Sequence, residues 1–251
     1  SFVCGDDAIC LKTLKPDEPC ENIVVTNCTI ETLTSGIKIG TGTPGDFRDI
    51  HFSNISIRNT GCCIGFFIKD GGTAERITFT DISLSTPTDL EKAGERRHTI
   101  IPVYIDIEQR KPESPIGRVR DITFTGITAV TDRGFLLQGM PERALEHITF
   151  RDITIRATRA EPYDERIKRG GGISNMNDER RTKYIRQPSW FAFAHVKDFT
   201  VDNLRVIVPP EVQDKFPRTA LSMFEAEDGV ITNVARVSGG RSATVSTISS
   251  T

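Results

Sequence analysis

No stretch of this chain approaches the roughly 18 to 20 consecutive apolar residues of a membrane-spanning helix, so it holds no helical membrane span. An excess of charge of one sign is also lacking. The 32 Lys and Arg residues stand against 34 Asp and Glu, for a formal net charge of −2, and the pI is about 6.1. That balance offers no general attraction for nucleic acid or anionic lipid. Helical periodicity is missing over most of the length. The chain opens on Ser1 rather than Met with a structured motif at once, so further sequence is expected upstream, and the lack of a leader is silent on secretion.

Cysteine is absent after the first quarter. Cys4, Cys10, Cys20, Cys28, Cys62 and Cys63 lack metal-site spacing, and vicinal Cys62 and Cys63 cannot bridge each other without strain. Cys10 and Cys28 fall at apolar positions of the pattern below and are expected as small core residues.

What the chain does have is a repeat. An eight-residue phrase, Ile23-Val24-Val25-Thr26-Asn27-Cys28-Thr29-Ile30, returns from Ile50, Ile77, Ile122, Ile148 and Phe199, and more loosely from Gly229. The spacing is near 27 residues, interrupted by two long insertions, and a period of that size means a solenoid or an array. Positions one, three, six and eight are apolar, and position five is Asn, Asp or Gly. Alternation means strand, and the change of parity at position five means a bend between two strands, made by residues that tolerate a left-handed backbone. A third short strand is expected at 36–40, 65–69, 103–107, 134–138, 191–194 and 220–224. Three short strands per coil describe a parallel β-helix, whose stacked coils bury a core that no single coil could form. Residues 1–238 are read as this one domain, with upstream coils missing. Insertions 86–99 and 161–189, rich in charge, Pro and Gly, read as long loops, and 239–251 as a disordered tail.

The candidate chemistry lies at the start. Asp6 and Asp7 are adjacent carboxylates between Gly5 and a short apolar run. Like charges side by side raise each other's cost of ionisation, an arrangement that suits a site where one acid holds a proton and the other does not. Alternation turns Lys12, Lys38, Lys69 and Phe67 outward, and the next coil adds Tyr104, Asp106 and Glu108. With coils about 4.8 Å apart, three lysines are expected beside the acid pair, which suits hydrolysis of an anionic polymer.

Gly5-Asp6-Asp7-Ala8-Ile9-Cys10-Leu11-Lys12 resembles the Gly-Asp-Asp segment of glycoside hydrolase family 28, the polygalacturonases and rhamnogalacturonases. Ser35-Gly36-Ile37-Lys38-Ile39-Gly40-Thr41 and Gly65-Phe66-Phe67-Ile68-Lys69 resemble its next two motifs. Gly139-Met140-Pro141-Glu142 and Phe193-Ala194-His195-Val196-Lys197 look like bacterial members. The resemblance implies a right-handed parallel β-helix and a secreted or periplasmic, monomeric enzyme. It would use no cofactor or metal, bind neither nucleic acid nor membrane, and invert the anomeric centre of an acidic plant cell-wall polysaccharide. Asp6 would be the general acid, and Asp7 would activate water with a third aspartate upstream of Ser1. Lys12, Lys38, Lys69, Phe67 and Tyr104 would bind substrate. The family's histidine falls on Ser35 and its arginine on Phe67, which weakens the case for free polygalacturonate and leaves Phe67 to stack on a less polar sugar.

Two other classes remain open: a non-catalytic solenoid that binds polysaccharide or is structural, and a lyase or epimerase working through calcium. Trp190 and Phe191 read as packing rather than a sugar platform. His51, His98, His147 and His195 read as surface histidines, and Arg180, Arg181, Lys183 and Arg186 as a solvated loop.

Overall fold

A computed structural model describes residues 1–87, 101–158, 189–215, 218–238 and 241–250. The chain is all-β apart from the short helix α1 (Pro210–Lys215), and one strongly curled sheet holds every strand. The strands alternate between two rows. The first contains β1 (Phe2–Cys4), β3 (Cys20–Thr32), β5 (Phe47–Arg58), β7 (Thr73–Ser85), β9 (Arg118–Thr131) and β11 (Leu145–Ala157). The second contains β2 (Ile9–Leu11), β4 (Ser35–Gly40), β6 (Cys62–Ile68), β8 (Ile101–Ile107) and β10 (Phe135–Gln138). β12 (Phe191–Ile207) runs through both rows and joins them, so these strands form one continuous parallel path. β13 (Ser222–Glu227) and β14 (Gly229–Ser238) extend it. The chain therefore coils as a β-helix-like solenoid, with short strands at or next to the expected segments.

Each eight-residue phrase lies within one long strand that is bent at position five, rather than in two separate strands. Asn27, Asn54, Asp81, Asp152, Asn203 and Asn233 hold that bend with φ between 51° and 58°, and Gly126 with φ 68°. A second bend precedes each phrase, at Asn22, Asp49, Arg76, Asp121, His147, Asp198 and Asp228, all with positive φ. Five of those seven are Asn or Asp, a signal that the sequence carries; Arg76 and His147 obscure it.

Inside the coil, position three stacks Phe52 on Phe79 at 5.0 Å, Phe79 on Phe124 at 4.7 Å and Phe124 on Phe150 at 4.5 Å, with planes within 6° of parallel. Register brings like residues together because coils repeat, and each such ring pair contributes about 0.5–1.5 kcal/mol beyond its burial. Trp190 and Phe191 join this core. Cys28 packs against it, whereas Cys10 faces away from it, paired in register with Lys38 and half-buried. All six cysteines are free thiols.

The outward position just before the first bend carries Glu21, Arg48, Glu75, Arg120, Glu146, Lys197 and Glu227, which neighbour one another in that order through parallel pairing. Acid and base alternate at every step. Arg48 Nε lies 2.5 Å from Glu21, and Glu75 accepts from Arg76 at 2.5 Å and from Arg120 at 2.5 and 2.8 Å. Burial pushes the Glu75 carboxyl up, but the Arg120 and Arg76 guanidiniums outweigh it and hold it below its ordinary value.

Residues 241–250 correct the expected disordered tail: they form β15 (Arg241–Ser250), antiparallel to β14. Gly239-Gly240 between them is a two-residue hairpin signal, and Thr, Val and Ile in the segment favour strand. Insertions 86–99 and 161–189 lie outside the described residues except for Thr86, Pro87 and Ser189. His98, Arg180, Arg181, Lys183 and Arg186 are outside them as well. No helix among the described residues is long and apolar enough to cross a membrane.

Candidate active site

Asp6 and Asp7 lie in the tight connection between β1 and β2, which start the two rows. The connection is held from both sides. Thr32 Oγ1 donates to the Asp6 carbonyl at 2.7 Å, and the Ala8 amide donates to the Ser35 carbonyl at 2.9 Å. The two carboxylates are not equivalent. Asp6 is exposed, makes no ion pair among the described residues, and its Oδ1 accepts the Asp7 amide at 2.9 Å. Asp7 leans inward, its side chain 16% exposed, with Lys38 Nζ 2.6 Å from Oδ2. Burial raises the Asp7 carboxyl, but hydrogen bonds from Lys38 and Ser35 together with the Lys38 charge more than offset it, so Asp7 titrates below its ordinary value. Ser35, a departure from the family pattern, is thus a direct partner of the second acid.

The three lysines do not form a stripe. Lys38 pairs in register with Cys10 and Gly65, so Lys12 lies two residues further along its strand and Lys69 four. Parity is shared, which is all that alternation can predict; register is not. Lys12 is exposed and makes no ion pair among the described residues. Lys69 was expected outward and open, yet it is 4% exposed and forms an ion pair with Glu108, both side chains being 5% exposed.

Phe67 and Tyr104 do point away from the main core, but neither is open to solvent. They belong to a second apolar cluster with Cys62, Ile101, Leu136 and Ala192, on the outer side of the second row. Their rings sit 5.3 Å apart, and Lys38 Nζ lies 5.5 Å from the Phe67 centroid. A side chain at Gly40 (φ +109°) would meet the Phe67 carbonyl at 2.4 Å, so only glycine lets the two strands approach as they do there. Burial pushes the Cys62 thiol up to about 12 and leaves it neutral, so it is no nucleophile.

The sequence did not single out Gln138. It pairs in register with Asp106, is fully buried, and neither of its amide atoms has a hydrogen-bond partner. Its signal was an outward-parity polar residue at the end of a short strand. His195 is buried rather than on the surface, its Nδ1 2.8 Å from Glu225. His51 and His147 are exposed; His147 lies 3.1 Å from Asp121 and 3.5 Å from Asp198. Among the described residues no group of three or more His, Cys, Asp or Glu could hold a metal ion.

Compared with known protein families, curated proteins and solved structures, the chain matches none.

Proposed function

We propose that the protein is a glycoside hydrolase that cleaves a pectic polysaccharide of polygalacturonan or rhamnogalacturonan type, and that its solenoid is a right-handed β-helix of three strands per coil. The observation that carries the reading is the inequality of the acid pair: Asp7 is half-buried and held ionised by Lys38 and Ser35, while Asp6 stands exposed beside it. Inverting glycoside hydrolysis asks for that division of labour. Asp6 delivers a proton to the departing glycosidic oxygen, and the Asp7 carboxylate draws a proton from the attacking water. Lys38 keeps Asp7 charged without reaching the substrate itself. The resemblance of the opening motif to family 28 supports the same assignment.

A second reading, the non-catalytic solenoid, is favoured by one feature: the outer face beyond Lys38 is closed by the Phe67 and Tyr104 cluster. Reducing-end release by the full-length protein, measured over homogalacturonan and rhamnogalacturonan beside an Asp6→Asn variant, decides between them. A hydrolase loses about 100- to 10,000-fold of its rate in the variant. Retained sugar binding with no product from either protein would assign the solenoid to binding alone.

A further inference from the structure

Resting on the hydrolase reading above, we infer that the sugar rings flanking the cleaved bond are uncharged, an esterified uronate or a neutral sugar, and that a free uronate is disfavoured there. Binding a polyanion requires cations whose charge is not already met. On this face the protein meets its own. Lys38 Nζ is 2.6 Å from Asp7 Oδ2 and its other side faces the Phe67 ring at 5.5 Å. Lys69 is closed off and paired with Glu108. Asp106, opposite Phe67 in register, adds a buried carboxylate to the same side.

The balance on the face is Lys12, Lys38 and Lys69 against Asp6, Asp7, Asp106 and Glu108, so the field over the acid pair is not positive. Lys12 alone is unengaged among the described residues, and it lies beside the outermost strand of the second row, β2. A uronate carboxylate brought next to Asp6 and Asp7 would meet like charge with no guanidinium or ammonium to receive it. An ester or a neutral ring carries no such penalty, and it matches a phenyl ring bordering the site where a cation would otherwise stand.

The test uses the full-length Asp6→Asn protein, so that ligands are not consumed. Oligogalacturonides of one length would be titrated calorimetrically as free acid and as full methyl ester, with a rhamnogalacturonan oligosaccharide as third ligand. The expected result is at least tenfold tighter binding of the ester or of the rhamnose-containing ligand than of the free acid; which of the two leads identifies the source of the neutral ring. In a second protein carrying Glu108→Gln, which frees the Lys69 charge, the preference shifts about tenfold toward the free acid. Tighter binding of the free acid by the first protein overturns the inference, and that comparison stands even if Glu108→Gln does not fold. Failure of the hydrolase reading looks different: the neutral preference holds, yet the protein with Asp6 intact releases no product from any of the three. Absence of binding by all three ligands overturns both.

Discussion

The solenoid applies one stacking rule on two of its surfaces with opposite results. Along the first row, Glu21, Arg48, Glu75, Arg120, Glu146, Lys197 and Glu227 place an opposite charge beside every charge. On the second row, Asp6 and Asp7 are neighbours of like sign, and only Asp7 has a cation. Coils about 4.8 Å apart force side chains at equivalent positions together, so an alternating column stabilises the stack and a like pair costs it stability. A fold that alternates charges along a whole edge and then leaves Asp6 unmatched marks Asp6 as the exception, and exceptions to local consistency concentrate at functional sites.

The largest break in that contrast is Glu75→Ala. It leaves Arg76 and Arg120 without their shared acceptor, in a place where the Glu75 side chain is only 10% exposed. The expected loss is about 2–4 kcal/mol, from removed charged hydrogen bonds and the repulsion that remains. Glu18→Ala, which breaks a pair 64% and 55% exposed, is expected to cost less than about 0.5 kcal/mol. Denaturant midpoints at unchanged m compare the two; equal shifts would reduce the column to ordinary surface charge. The column also predicts an acid limb. Glu75 titrates lower when folded than its ordinary value of 4.5, so its contribution is complete above that pH and is lost as pH falls through the depressed folded value. Glu75→Gln flattens that part of the stability profile, and an unchanged slope would contradict the assignment.

The charge column was readable only in part. The repeat gave the coil, the core positions and the bend at position five, because apolar alternation and Asn, Asp or Gly are local signals. The bend before the phrase and the column beside it depend on register, and Arg76 and His147 stand where Asn or Asp would have announced the bend. The same limit governs the candidate site. Parity placed Lys38, Lys69, Phe67 and Tyr104 on the outward side, yet whether an outward residue is open is set by what packs over it. Lys69 and Tyr104 read alike to Lys38 from sequence and are closed. Glu108 was visible as an outward acid, but its pairing with Lys69 needs the fold of the third and fourth coils. The strand at Arg241–Ser250 was missed because small polar composition outweighed its Gly-Gly turn and β-branched run.

A smaller effect separates the two acids. Lys38→Met removes the cation from Asp7, for a stability loss of about 1 kcal/mol at a half-buried pair. Its second consequence is more diagnostic: without the Lys38 hydrogen bond and charge, burial dominates and the Asp7 carboxyl rises. The acid limb of the rate against pH then moves upward. A limb that stays put would mean that Asp7 is not the group that must be ionised.

The smallest change in stability is expected from Asp6→Asn, and its sign completes the contrast. Asparagine keeps an oxygen to accept the Asp7 amide and removes a charge that has no cation beside it, so folding should be unchanged or improved by up to about 0.5 kcal/mol. The equivalent neutralisation in the column, Glu75→Gln, destabilises, because there each acid is what holds two guanidiniums in place. If Asp6→Asn lowered stability as Glu75→Gln does, Asp6 would be one more rung in a structural lattice. If it raised stability while abolishing product release, the fold would be keeping an unmatched carboxylate at its own expense, for which proton delivery is the remaining reason.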